Sequence, residues 1–137
     1  MTVLSVTHRF SVTDYCILHE SGILQEDDRV ELIHGDIIDM APTGSRHLAA
    51  VNVLNSLFSE KLGRRAVVSV QNPIRLNDES MPQPDIALLI PRNDKYRGGV
   101  PSPADILLVV EVAESSLRYD RIRKQRLYAL AGISEGR

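Results

Sequence analysis

What this chain of 137 residues lacks narrows its reading before anything it contains. Cysteine occurs once, at Cys16, which excludes an internal disulfide and fits a reducing compartment. No apolar run approaches the roughly 18–20 residues needed to cross a bilayer, and no charged, apolar leader is visible. Neither membrane spanning nor secretion is therefore expected, and the chain reads as cytoplasmic. Excess charge is also missing: 16 Lys and Arg stand against 18 Asp and Glu, a net charge of -2 with a pI near 6.1. Nothing pulls the whole surface toward nucleic acid, so any such contact must come from a local basic patch. Tryptophan is absent, and there is no internal repeat, low-complexity tract or visible linker. With 43% hydrophobic and 25% charged residues, residues 1–137 are expected to form one domain with a modest core.

Against that plain background the stretch 81–116, MPQPDIALLIPRNDKYRGGVPSPADILLVVEVAESS, gathers the chemistry. Its two apolar runs, Ile86 to Ile90 and Ile106 to Val112, are too short and too β-branched for helices. Their near-continuous apolar character suits strands covered on both faces. Asp85 opens the first run and Glu111 all but closes the second. If the Pro- and Gly-rich link between them reverses the chain, the strands pair antiparallel and Asp85 comes close to Glu111. Two carboxylates at the rim of a buried sheet repel each other and lose hydration, a cost that a bound divalent cation relieves. Alone, Asp85 after Pro84 has a simpler use in ending a turn. Glu111 is the stronger signal, because an acid inside LLVVEVA must be paired or metal-bound if buried.

The rest of the chain supplies the surroundings. Ser11 is placed to cap a helix within Phe10 to Leu24, with Gly22 ending it. RVELIHGDIIDM, residues 29–40, reads as a hairpin turning at His34-Gly35, with Glu31 and Ile33 on one face and Val30 and Leu32 on the other. Glu31 thereby becomes a candidate third acid, with a salt bridge to Arg29 or to the last helix as the alternative. Ser45 to Leu62 has helical apolar spacing and Gly63 as its stop. Ala66 to Val70 and Pro73 to Leu76 read as two short strands. Residues Glu114-Ser115-Ser116 are expected to cap a final helix, LRYDRIRKQRLYALAG, on which Lys124 shares the apolar face with Leu127, Tyr128 and Ala131. Lys124 either points inward or snorkels its amine into water. Arg118, Arg121, Arg123 and Arg126 make this helix a basic surface, a solvated face or a DNA-backbone contact. After Gly132 no apolar strand is expected.

Glu31, Asp85, Glu111 and Lys124, carried in RVELIHGDII, QPDIALL, LLVVEVAESSLRYDR and KQRLYALAGI together with the Arg46-His47 pair, give the chain its resemblance. It resembles the PD-(D/E)xK nuclease superfamily, and more closely its Uma branch of endonucleases, abundant in cyanobacteria and long catalogued as a domain of unknown function. The resemblance implies an α/β (α+β) fold with a restriction-endonuclease-like mixed central sheet flanked by helices. It implies Asp85 and Glu111 as ligands of Mg2+ or Mn2+, and Glu31 as an additional acid of the metal site. Where the superfamily carries lysine two residues after the second acid, this chain has Ala113; the resemblance puts Lys124, on the next helix, in its place. The family resembled also continues past AGI with a further strand.

The function this implies is hydrolysis of DNA phosphodiester bonds by a metal-dependent endonuclease, with Glu31, Asp85, Glu111 and Lys124 as the catalytic set. His47, Arg121 and Arg123 are the candidate DNA contacts, His47 having a plain surface position as its alternative. Duplex cutting calls for two sites, so a homodimer is expected. The rival is an inactive nuclease-fold protein that binds DNA or remains as a remnant, favoured by Ala113 and the short end. His8, His19, His34 and Cys16 lack ligand-like spacing and read as surface, turn or packing groups.

Overall fold

The computed structural model describes residues 5–40, 44–112 and 118–136, without the side chains of 118–121 and 136. Helix α1, Val12–Glu20, starts where Ser11 and Asp14 satisfy each other's backbone: Asp14 N–H donates to Ser11 Oγ and Ser11 N–H to Asp14 Oδ2, both at 3.0 Å. Val12 and Tyr15 face inward against Val30, Leu32 and Met81, and the Tyr15 hydroxyl donates to the Val30 carbonyl at 3.2 Å. Burial pushes that phenol up to about 12.

Strands β1, Val30–Ile33, and β2, Asp36–Asp39, form an antiparallel hairpin as expected. The turn is made by His34 at φ 50° and Gly35 at φ 78°, the paired left-handed conformation whose twist suits a two-residue loop. Gly35 is also where the chain before α1 passes closest. Its carbonyl accepts from Phe10 N–H at 2.9 Å, and an added Cβ would stand 2.6 Å from Cβ of Arg9. Gly35→Ala is therefore expected to cost about 2 kcal/mol, the left-handed penalty of a residue with Cβ plus the displacement of Arg9. A urea midpoint equal to that of the parent would refute this.

The main sheet has the order β3-β4-β5-β6, with β3 at Val67–Val70, β4 at Ile86–Leu89, β5 at Ile106–Val110 and β6 at Glu135–Gly136. β3/β4 and β4/β5 are antiparallel and β5/β6 is parallel, so the sheet is mixed. The central strands are sealed on both faces, which is why their sequences do not alternate. On one face, Ile86, Leu88 and Val110 meet Val51, Leu54 and Phe58 of helix α2, Ser45–Leu62. On the other, Ala87, Leu89 and Val109 meet Ile33 of the hairpin together with Leu127 and Tyr128 of helix α3, Arg118–Leu130. The hairpin is joined to the segment before β4 by reciprocal backbone bonds between Leu32 and Met81, at 2.7 and 3.4 Å.

Two sequence expectations are corrected. Residues 73–76 form no strand: Pro73 lacks an N–H, and the next amides donate one at a time to the carbonyls of Pro82, Pro101 and Ser80 rather than to a neighbouring strand. After Gly132 the chain does add a strand, β6, entered by the Val109 N–H donating to the Ser134 carbonyl at 2.9 Å. The expected cap at Glu114-Ser115-Ser116, and Ala113, lie outside the described residues.

Candidate active site

The antiparallel register sets Ile86 opposite Val110, so Asp85, just before β4, and Glu111, just after β5, share one end of the sheet. Asp85 is buried and both its oxygens are engaged. Oδ2 accepts the Val112 N–H at 2.8 Å, fastening the start of β4 to the chain leaving β5, and Oδ1 accepts from His47 Nε2 at 2.9 Å. His47, in the first turn of α2, is 9% exposed, which overturns its reading as a surface group. Its ring reaches Asp85 because α2 packs across the face that Ile86 and Val110 present.

Glu31 takes the expected side of β1, the side of Ile33, and is buried there. Its Oε1 accepts the Gln83 N–H at 3.0 Å and lies 3.0 Å from Lys124 Nζ. Lys124 points inward and is 8% exposed; its ammonium also lies 2.8 Å from Glu111 Oε1, so one lysine bridges two acids from separate sheets. Four residues further along α3, Tyr128 donates its hydroxyl to the same Glu111 oxygen at 2.8 Å. Lys124, Leu127 and Tyr128 form one helical face, which the apolar Leu127 and Tyr128 ring press onto the core.

The charges do not balance. Among the described residues, Glu31, Asp85 and Glu111 bring three carboxylates to one lysine and one histidine, and even a protonated His47 leaves one negative charge over. Burial alone pushes the Lys124 ammonium down, but Glu111 and then Glu31 hold it above the ordinary lysine value. At Glu111 burial prevails: its carboxyl stands above the usual range despite Lys124 and Tyr128, with Asp85 adding to the rise. A lone ammonium serving two buried acids leaves one of them short of a cation.

Other expected site residues fall elsewhere. Arg123 donates to Asp36 Oδ2 at 3.1 Å and to the Ile33 carbonyl at 3.4 Å, tying α3 to the hairpin that carries Glu31. The side chain of Arg121 lies outside the described residues. Tyr128 and Gln83 were not anticipated as site residues. Tyr128 had a signal, its place one turn beyond Lys124, while the backbone N–H of Gln83 had none.

A mixed sheet with helices on both faces and acids gathered where its central strands meet is the architecture of a nuclease-type α+β fold. The family model named Uma2, described as "Putative restriction endonuclease", matches residues 12–136, and the chain belongs to that family. It is similar to a crystal structure described as a "putative nuclease belonging to DUF820" from Anabaena variabilis ATCC 29413. That likeness has a TM-score of 0.65 at 18% identity, covering 91% of this chain and 70% of the other. No curated protein matches the chain. Among the described residues no helix is long and apolar enough to cross a membrane.

Proposed function

We propose that this chain is a metal-dependent endonuclease that hydrolyses DNA phosphodiester bonds. The observation that carries the proposal is the gathering of three carboxylates, Glu31 and Glu111 on Lys124 and Asp85 on His47, against only those two basic groups among the described residues. Family membership adds to it.

The donor set fits Mg2+ or Mn2+. All candidate ligands are hard carboxylate oxygens, and Mg2+ commonly takes only one or two protein carboxylates, filling its other positions with water and phosphate. Among the described residues no three His, Cys, Asp or Glu side chains form a ready cage. Asp85 and Glu111 would hold the ion, and Glu31 serves through Lys124. When bound, the ion would acidify a water and polarise the scissile phosphate.

The chain's own groups do the rest. His47 and the Val112 N–H hold Asp85 in one orientation, and Lys124, fixed at 2.8 and 3.0 Å to its two glutamates, keeps a charged donor beside Glu111. A donor there holds the attacking water or a phosphate oxygen and stabilises charge growing on the phosphorane-like transition state. His47 acts by positioning Asp85, Arg123 by fixing the hairpin, and Arg121 remains the candidate backbone contact. Cutting both strands takes two such sites, which a homodimer supplies.

Supercoiled plasmid with Mg2+ tests this. Cleavage that stops with a chelator and falls at least about 100-fold in Asp85→Asn supports the proposal, and linear product beyond nicked circles supports the dimer. Equal cleavage by both chains would place the activity outside this site. No cleavage by a chain that still retains DNA would favour the inactive binding protein.

A further inference from the structure

Glu111 is held from one side. Lys124 and Tyr128 both meet Oε1, at 2.8 Å each, and among the described residues no hydrogen bond reaches Oε2. The last torsion of a glutamate is broad and sets no orientation by itself, but the carboxylate is rigid and planar, so holding one oxygen also directs the other. Lys124 divides its restraint, because its ammonium is shared between Glu111 and Glu31. Tyr128 is different. Its ring is 0% exposed, locked in the main core among Val109, Leu127 and Ile133, and only the hydroxyl reaches beyond that apolar setting.

A buried phenol needs an acceptor, but a backbone carbonyl is enough. Tyr15 uses Val30 in that way and Tyr96 uses Ile90. Tyr128 instead spends its donor on an acid of the site. Against an ionised carboxylate a phenol can only donate.

We infer that Tyr128 is a positioning residue: with Lys124 it fixes Oε1 of Glu111 and so keeps Oε2 for a divalent cation. The inference rests on the metal-dependent reading above. It assigns α3 two tasks one turn apart, a charge from Lys124 and an orientation from Tyr128.

The test is calorimetric titration of the full chain with Mn2+, beside plasmid nicking as a function of Mn2+ concentration. Tyr128→Phe keeps the ring and removes the hydroxyl. It is expected to bind Mn2+ about tenfold more weakly, as loss of a ligand's hydrogen-bond partner commonly does, and to recover most of the parent's maximal rate at high Mn2+. Tyr128→Met, which also lacks the donor, carries the same comparison should the phenylalanine variant fail to fold. Tyr96→Phe, at the opposite end of β4, loses a tyrosine hydrogen bond of its own and must keep the parent's Mn2+ affinity. Parent-like Mn2+ affinity in both Tyr128 variants overturns the inference and leaves Tyr128 a packing residue. A parent chain that neither binds Mn2+ nor nicks overturns the metal-dependent reading itself, and the inference with it.

Discussion

Lys124→Met lowers the unfolding free energy by about 3–5 kcal/mol at neutral pH, the usual cost of stranding a buried charge by removing its partner. Methionine retains most of the apolar stem that packs beside Leu127, so the loss is mainly electrostatic. Glu31 and Glu111 keep their places in the interior without the ammonium that stood 3.0 and 2.8 Å away. The dependence on pH has a definite sign. In the variant, the stranded Glu111 carboxyl, which burial already holds above the usual range in the parent, binds protons more tightly in the folded than in the unfolded chain. Its penalty is present at neutral pH and fades as acid protonates it. Urea midpoints of parent and variant should therefore draw together as pH falls through the carboxylate range. In the parent, Lys124 sits above its ordinary value, so its stabilisation is whole below the ordinary lysine value and is lost only as pH rises through the folded one. Equal midpoints for the two chains at neutral pH would mean that the bridge contributes nothing net.

Glu111→Gln is expected to separate stability from activity. The glutamine oxygen still accepts from Tyr128 and Lys124, and Lys124 keeps Glu31 as its counter-charge. Because burial already favours the neutral form of Glu111, replacing the acid by an uncharged group of equal shape should leave the chain at least as stable as the parent near neutral pH. That advantage is present above the unfolded carboxyl value and vanishes in more acidic solution, where the parent's own carboxyl is protonated. Cleavage, by contrast, should fall by about 100-fold or more if Glu111 holds the cation as proposed, since a ligand is then lost rather than a ligand's supporting bond. Thermal melting and plasmid nicking on the same preparations decide it. A variant that melts well below the parent would show that the ionised acid holds the fold together. Retained cleavage would remove Glu111 from the chemistry.

Much of this site was legible in the sequence because its carriers follow local rules. The unbroken apolar runs after Asp85 and before Glu111 identify strands covered on both faces, and reversal of the chain between them is enough to bring the acids together. Alternation along β1 put Glu31 with Ile33, and helical spacing put Lys124 on the apolar face, where the structure turns it inward rather than out to water. What escaped depends on packing between elements distant in sequence. His47 meets Asp85 across 38 positions, and its spacing alone suited an exposed helix start. Arg123 reads equally well as a free basic group or as the partner of Asp36, and only the placement of the hairpin against α3 chooses. Residues 73–76 looked like a strand because their apolar content is right, but a ladder also needs a partner with free carbonyls in register.

The lysine's address on α3 has a consequence for how such a site diverges. When acid and lysine lie two positions apart on one strand, their separation is dictated by the covalent chain at about 7 Å. Here it is a tertiary quantity, set by how deeply Leu127 and Tyr128 seat against Val109. A volume change at any of these apolar positions shifts the lysine relative to the acid without touching either. Drift in the interior thus becomes a route for adjusting the spacing of the charged groups, and a lineage can reshape this cluster while its charged residues stay fixed.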